Sequence, residues 1–82
     1  MKQFVDVICL YEKSGQIRPL YIVWDNKVKY QIDRVTQIIP AASLKSGGMG
    51  LRYTCRFGSN MRYLFFEEGK WFIERPDAPV FS

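Results

Sequence analysis

Apolar and polar residues alternate with a period of two along most of this chain. From Phe4 to Tyr11, one face holds Val5, Val7, Cys9 and Tyr11, and the other holds Phe4, Asp6, Ile8 and Leu10. A two-residue period marks a strand, and apolar residues on both sides predict burial on both. Ser14-Gly15 supplies a turn. Ile17 to Trp24 reads as a second strand. Pro19 has no N–H to give a ladder, so it belongs at an edge or just ahead of regular pairing. A hairpin turning on Asn26-Lys27, with Asn26 in the left-handed conformation, then sets Val23 opposite Tyr30 and Tyr21 opposite Ile32. The alternation runs on through Val35, Gln37 and Ile39 to Pro40, but the polar pair Asp33-Arg34 interrupts it. That pair predicts a bulge or bend that re-aims the strand.

The stretch from Ala41 to Met49 is the one break in the strand pattern. It is long enough for a single helical turn, which Gly47-Gly48 would end. Leu51 to Phe57 alternates again. A three-residue turn, Gly58-Ser59-Asn60, predicts Phe57 opposite Met61, Tyr53 opposite Phe65 and Cys55 opposite Tyr63. A two-residue turn at Glu68-Gly69 predicts Phe66 opposite Trp71 and Leu64 opposite Ile73. Six short hairpin-linked strands with no amphipathic helix give an all-β chain. The expected architecture is a small antiparallel SH3-like barrel or a strongly bent meander. Residues 1–76 are read as a single β domain and residues 77–82 as a flexible C-terminal tail.

Composition narrows the function more than the fold. At 82 residues and 48% hydrophobic content, the chain can build one compact core. The net charge of +4 is spread evenly over the two halves, so there is no basic tail; it permits a nucleic acid or an acidic protein as partner without demanding either. Cys9 and Cys55 both fall in apolar alternating runs, which predicts two buried free thiols and a cytoplasmic protein. The start, MKQFVDVICLYEKSGQ, carries an acidic residue inside its apolar run, unlike a secretory leader. No segment approaches the length of a membrane span.

Catalytic chemistry is poorly provided for. The chain has no histidine, which removes the commonest general base and metal ligand. Two distant cysteines do not make a zinc site, and Glu67-Glu68 reads as a solvated turn pair. Lys45-Ser46-Gly47-Gly48 has the order of a phosphate loop reversed. No enzymatic activity, cofactor or metal is expected. Lys45 is kept as a minor anion contact through its glycine-flanked backbone.

On the register above, Arg52, Arg56 and Arg62 share a face with Leu64, Phe66, Trp71 and Ile73. Aromatic platforms beside cationic side chains are what sheet-type nucleic-acid binders present. The same side chains are also interface anchors, so a protein adaptor or a self-associating subunit, such as a homodimer, is the alternative use. A competing expectation is that Phe66 and Trp71 are covered and structural. The candidate site is therefore Arg52, Arg56, Arg62, Phe66 and Trp71, with Lys45 beside it.

The segments IRPLYIVWDNKVKYQIDRV, AASLKSGGMGLRYTCR and YLFFEEGKWFIE occur in this order over residues 17–75. Together they resemble a family of small, uncharacterised bacterial proteins whose genes lie near Y-family translesion DNA polymerases. The resemblance implies a role accessory to DNA repair, with DNA or a DNA-processing protein as partner. It brings no catalytic residues with it. One departure is local: Asn26-Lys27 stands where Asp-Gly is the more usual turn.

Overall fold

The computed structural model describes residues 1–41 and 50–75. Lys45 and the tail beyond residue 76 lie outside the described residues, as does the helical turn expected after Ala41. Seven strands are present: β1 (Lys2–Tyr11), β2 (Ile17–Val23), β3 (Lys29–Gln31), β4 (Arg34–Pro40), β5 (Leu51–Phe57), β6 (Asn60–Glu67) and β7 (Lys70–Glu74). The expected six become seven because the interruption at Asp33 splits the third run in two. All pairings are antiparallel, in the order β3-β2-β1-β7-β6-β5-β4. The protein is thus the all-β, strongly bent meander that the alternation predicts. No helix among the described residues is long and apolar enough to cross a membrane.

Strands β3 and β4 lie at opposite edges of this sheet although only Ile32 and Asp33 separate them in sequence. So short a link forces the two edges together, and the sheet curls. Both linking residues spend their backbone N–H groups on the joint. Ile32 donates to the Leu20 carbonyl of β2 at 2.9 Å, and Asp33 donates to the Arg56 carbonyl of β5 at 2.8 Å. The Asp33 carboxylate accepts from the Gly58 N–H at 2.6 Å, which anchors the β5–β6 turn to the joint. Strand β1 supplies the other bend. Its first half pairs with β7 through residues 2–5 and its second half pairs with β2 from Asp6 onward.

The concave side is the core. Ile22, Ile32, Tyr53, Cys55, Leu64, Trp71 and Ile73 are buried there, with Val35, Ile38 and Phe66 among the half-buried residues packed against them. Each fully buried large apolar side chain contributes roughly 1.5–3 kcal/mol relative to exposure. Val35 and Ile38 are three residues apart and both point inward because β4 bulges between Val35 and Gln37. Pro19 lies on the part of β2 that β3 does not pair with, where no ladder donor is required.

Two hairpins differ from expectation by one residue. In the first, Lys27 rather than Asn26 is left-handed, with φ of 67°. Trp24 and Val28 close a three-residue turn, so Ile22 pairs with Tyr30 and Val23 with Lys29. In the β5–β6 hairpin the turn is only Gly58-Ser59, and Phe57 pairs with Asn60. Tyr53 therefore meets Leu64, and Cys55 meets Arg62. A slip of one residue turns every side chain of a strand to the other face. The β6–β7 turn is as expected, with Phe66 opposite Trp71. Leu64, Phe66, Trp71 and Ile73 consequently share the core face with Tyr53, and not the face of Arg52 and Arg56.

Candidate nucleic-acid interface

The convex side of the sheet carries its own ordered rows. Across five strands, Ile39, Arg52, Phe65, Phe72 and Phe4 stand side by side. The neighbouring rows on the same face are Gln37, Thr54 and Tyr63, then Arg34, Arg56 and Met61. This is an arginine–aromatic surface whose aromatic residues are not the expected Phe66 and Trp71.

The rings are in contact. Phe65 stacks on Phe72 with centroids 5.1 Å apart and planes 6° apart, and Phe4 meets Phe72 edge-on at 5.7 Å. Phe72 is buried between them, whereas Phe4 and Tyr63 remain 53% and 51% exposed. Cations lie over these rings: the Arg52 guanidinium 4.2 Å from the Tyr63 centroid, Lys2 Nζ 4.6 Å from Phe72, and Lys70 Nζ 5.9 Å from Phe4. Such contacts add about 0.5–1 kcal/mol at exposed sites.

Charge is poorly balanced at one end of this face. Lys2 has a carboxylate partner in Glu67 at 3.5 Å. Arg34 and Arg56 stand directly opposite each other across β4 and β5, and both are exposed. No described carboxylate forms an ion pair with Arg34, Arg52 or Arg56. Arg52 also has a buried Nε with no hydrogen-bond partner among the described residues. Like charges directly opposite on a sheet are destabilising. An anion laid between Arg34 and Arg56 would remove that cost.

The candidate residues separate accordingly. Arg52 and Arg56 share the convex face, two positions either side of Thr54. Arg62 faces the other way, opposite Cys55, and its Nη1 donates to the Met61 carbonyl at 2.8 Å. Phe66 and Trp71 are core residues in tilted contact at 4.5 Å, and Trp71 is only 8% exposed. The alternation does not single out Arg34, Tyr63, Phe65, Phe72 or Phe4; a two-residue turn at Gly58-Ser59 would have put Tyr63, Phe65 and Phe72 on the arginine-bearing face, whereas Phe4 and Arg34 reach it only through the long-range pairings of β1 with β7 and of β4 with β5.

Of the two thiols, only Cys9 differs from expectation. Cys55 is buried, and burial pushes its thiol up to about 12, so it stays protonated and unreactive at neutral pH. Cys9 is exposed rather than buried, in the half of β1 beyond its pairing with β7, where residues 8–11 are all exposed. Burial, and then the nearby Cys55 and Cys9, raise the Tyr53 hydroxyl above its ordinary value. Neither buried group has the lowered pKa of an activated nucleophile. No family model matches the chain, and neither a curated protein nor a solved structure matches it.

Proposed function

We propose that this protein is a non-enzymatic binding module that holds single-stranded nucleic acid across its convex face, in a role accessory to DNA repair. The observation that carries the reading is the Arg34–Arg56 pair, with Arg52 two rows further along the same face of β5. These are three cations on adjacent strands, none in an ion pair with a described carboxylate, next to the exposed ring of Tyr63. Arginines of this kind take phosphates bidentately, and exposed aromatic rings stack on bases that a duplex would hide. The repair setting rests on the resemblance of residues 17–75. Replacing Arg34 and Arg56 together with Ala is expected to weaken binding of an oligothymidylate. It should also flatten the dependence of log K on log salt by about 0.7 for each phosphate that is no longer neutralised. Unchanged affinity and slope in the folded variant would sink the reading.

A second use, as a protein adaptor or self-associating subunit, is favoured by a different observation. Ile8, Leu10 and Tyr11 near the end of β1 are 39%, 43% and 72% exposed. Adding charge at Leu10 should then dissociate any assembly seen in sedimentation, while mutation of Arg34 and Arg56 leaves it intact.

A further inference from the structure

The row that begins at Arg52 ends at Phe4, three strand spacings away, or about 14 Å at roughly 4.8 Å per strand. A recess of about 410 Å³ opens at this far end. It exists because β7 begins only at Lys70, whereas β1 runs on past Val5 to Tyr11. The β6–β7 turn therefore leaves a notch beside β1. Gly69 borders the notch with φ of 75° and nothing within 4 Å of where a Cβ would stand, so the opening is unobstructed. Phe4, Asp6, Lys70 and Trp71 line it.

The chemistry of this lining is specific. Phe4 offers a half-exposed ring, and Lys70 Nζ stands 5.9 Å from its centroid. Asp6 is exposed on the same recess, yet Asp6 and Lys70 form no ion pair with each other. A carboxylate and an ammonium thus border one cavity while remaining unjoined, with an aromatic plane beside them. The complementary ligand is flat and carries an acceptor next to two donors on one edge. Guanine has that edge: O6 accepts, while N1–H and the exocyclic amino group donate. Thymine offers the carboxylate one donor, and adenine offers an amino group beside an acceptor that the carboxylate repels.

We propose that the notch between β1 and the β6–β7 turn seats one guanine base, stacked on Phe4, with Asp6 accepting from N1–H and the amino group and Lys70 donating to O6. The proposal rests on the reading of the convex face as a single-strand site and adds base selectivity to it. The arginines at the β4–β5 end hold phosphates of any sequence. The notch reads one base at the other end of a path that spans on the order of four stacked nucleotides, at 3.4 Å each.

The test titrates the whole protein with pentathymidylate and with the same pentamer carrying a guanine, or an adenine, at both of its ends, so that an end base can enter the notch while the other end reaches the arginines, following tryptophan fluorescence. The guanine pentamer should bind about tenfold tighter than the other two, the discrimination a good bidentate base contact gives. Asp6→Ala, shown to be folded by circular dichroism, should erase that preference. The same variant should bind pentathymidylate slightly more tightly, because a negative charge has left a phosphate-binding face. Opposite signs for the two probes separate base reading from general electrostatics. Equal binding of all three pentamers, with dependence on Arg34 and Arg56 intact, overturns the guanine site and leaves the arginine face standing. No binding of any pentamer overturns both.

Discussion

The Tyr53 hydroxyl donates to the Ile17 carbonyl at 2.9 Å and so ties β5 to the start of β2. These two strands are not neighbours in the sheet: β4 lies outside β5, and beyond β3 the first residues of β2 are a free edge. The bond therefore spans the side of the curled sheet where no strand ladder runs. Tyr53 is 1% exposed, so its ring serves the core while its hydroxyl holds the seam. Tyr53→Phe should keep the core volume and cost about 1 kcal/mol. It should also leave the Ile17 carbonyl at the seam without this donor. Urea unfolding measures the cost, and an unchanged midpoint would show that the seam needs no clasp.

The opposed arginines imply a conflict between stability and binding. Arg56→Gln removes one of two like charges that face each other across β4 and β5. The free protein should gain about 0.2–1 kcal/mol at low ionic strength, and the gain should shrink in about 1 M salt, where screening acts within roughly 3 Å. The same variant should bind oligonucleotide more weakly. A loss of stability at low salt would mean that Arg56 has a structural role that its surroundings do not show.

The general fold was legible in the sequence. The facing of β5 and β6 was not. In β6 the odd positions are Met61, Tyr63 and Phe65, and the even ones are Arg62, Leu64 and Phe66. Either set makes a plausible core face, so alternation cannot choose between them. The choice rests on the turn, where Gly58-Ser59 and Gly58-Ser59-Asn60 look alike and differ by one residue. That residue exchanges Phe66 and Trp71 for Phe65, Phe72 and Tyr63 on the arginine face. Arg34 is hidden for another reason. It meets Arg56 only because the Ile32-Asp33 joint brings β4 out beside β5, a contact between residues 22 positions apart. By contrast, Glu68-Gly69 is legible because both residues have positive φ, at 53° and 75°, as the common two-residue hairpin turn demands.

The two cysteines should differ sharply in reactivity. Cys9 is exposed, and Cys55 is buried beneath the sheet with its Sγ 3.7 Å from the Tyr53 carbonyl. Iodoacetamide under native conditions should add one label, at Cys9, and the second only after unfolding. Mass spectrometry of the labelled peptides decides this. Rapid native labelling of Cys55 would contradict its burial.

Burial of Cys55 also sets an alkaline limit. Its thiol ionises near 9 when unfolded and is pushed up to about 12 in the fold. Between those values the unfolded chain has lost the proton and the native state retains it. Unfolding therefore releases a proton, and stability falls as pH rises, by at most about 1.4 kcal/mol per pH unit from this group. Below pH 9 the contribution is fully present. The comparison is with Cys55→Val, which should lose less stability between about pH 9 and 11 than the natural chain. Parallel losses would assign the alkaline transition to other groups.

Lys27 carries the strain of the first hairpin. With φ of 67° it adopts a conformation that costs an L-residue roughly 1–2 kcal/mol and costs glycine almost nothing. The turn survives because Lys27 N–H donates to the Trp24 carbonyl at 2.8 Å and the Asn26 side chain accepts from the Val28 N–H at 3.0 Å. Lys27→Gly keeps both bonds and relieves the backbone. It also raises the entropy of the unfolded chain, so the net gain should be about 0.5–1 kcal/mol. Lys27 is exposed at the hairpin tip, distant in the sheet from β5 and β6, so binding through Arg34 and Arg56 should change only by the loss of one unit of long-range charge. A stabilised variant with nearly intact affinity is the expected result. Destabilisation would mean that the Lys27 side chain supports the hairpin in a way that outweighs its strain.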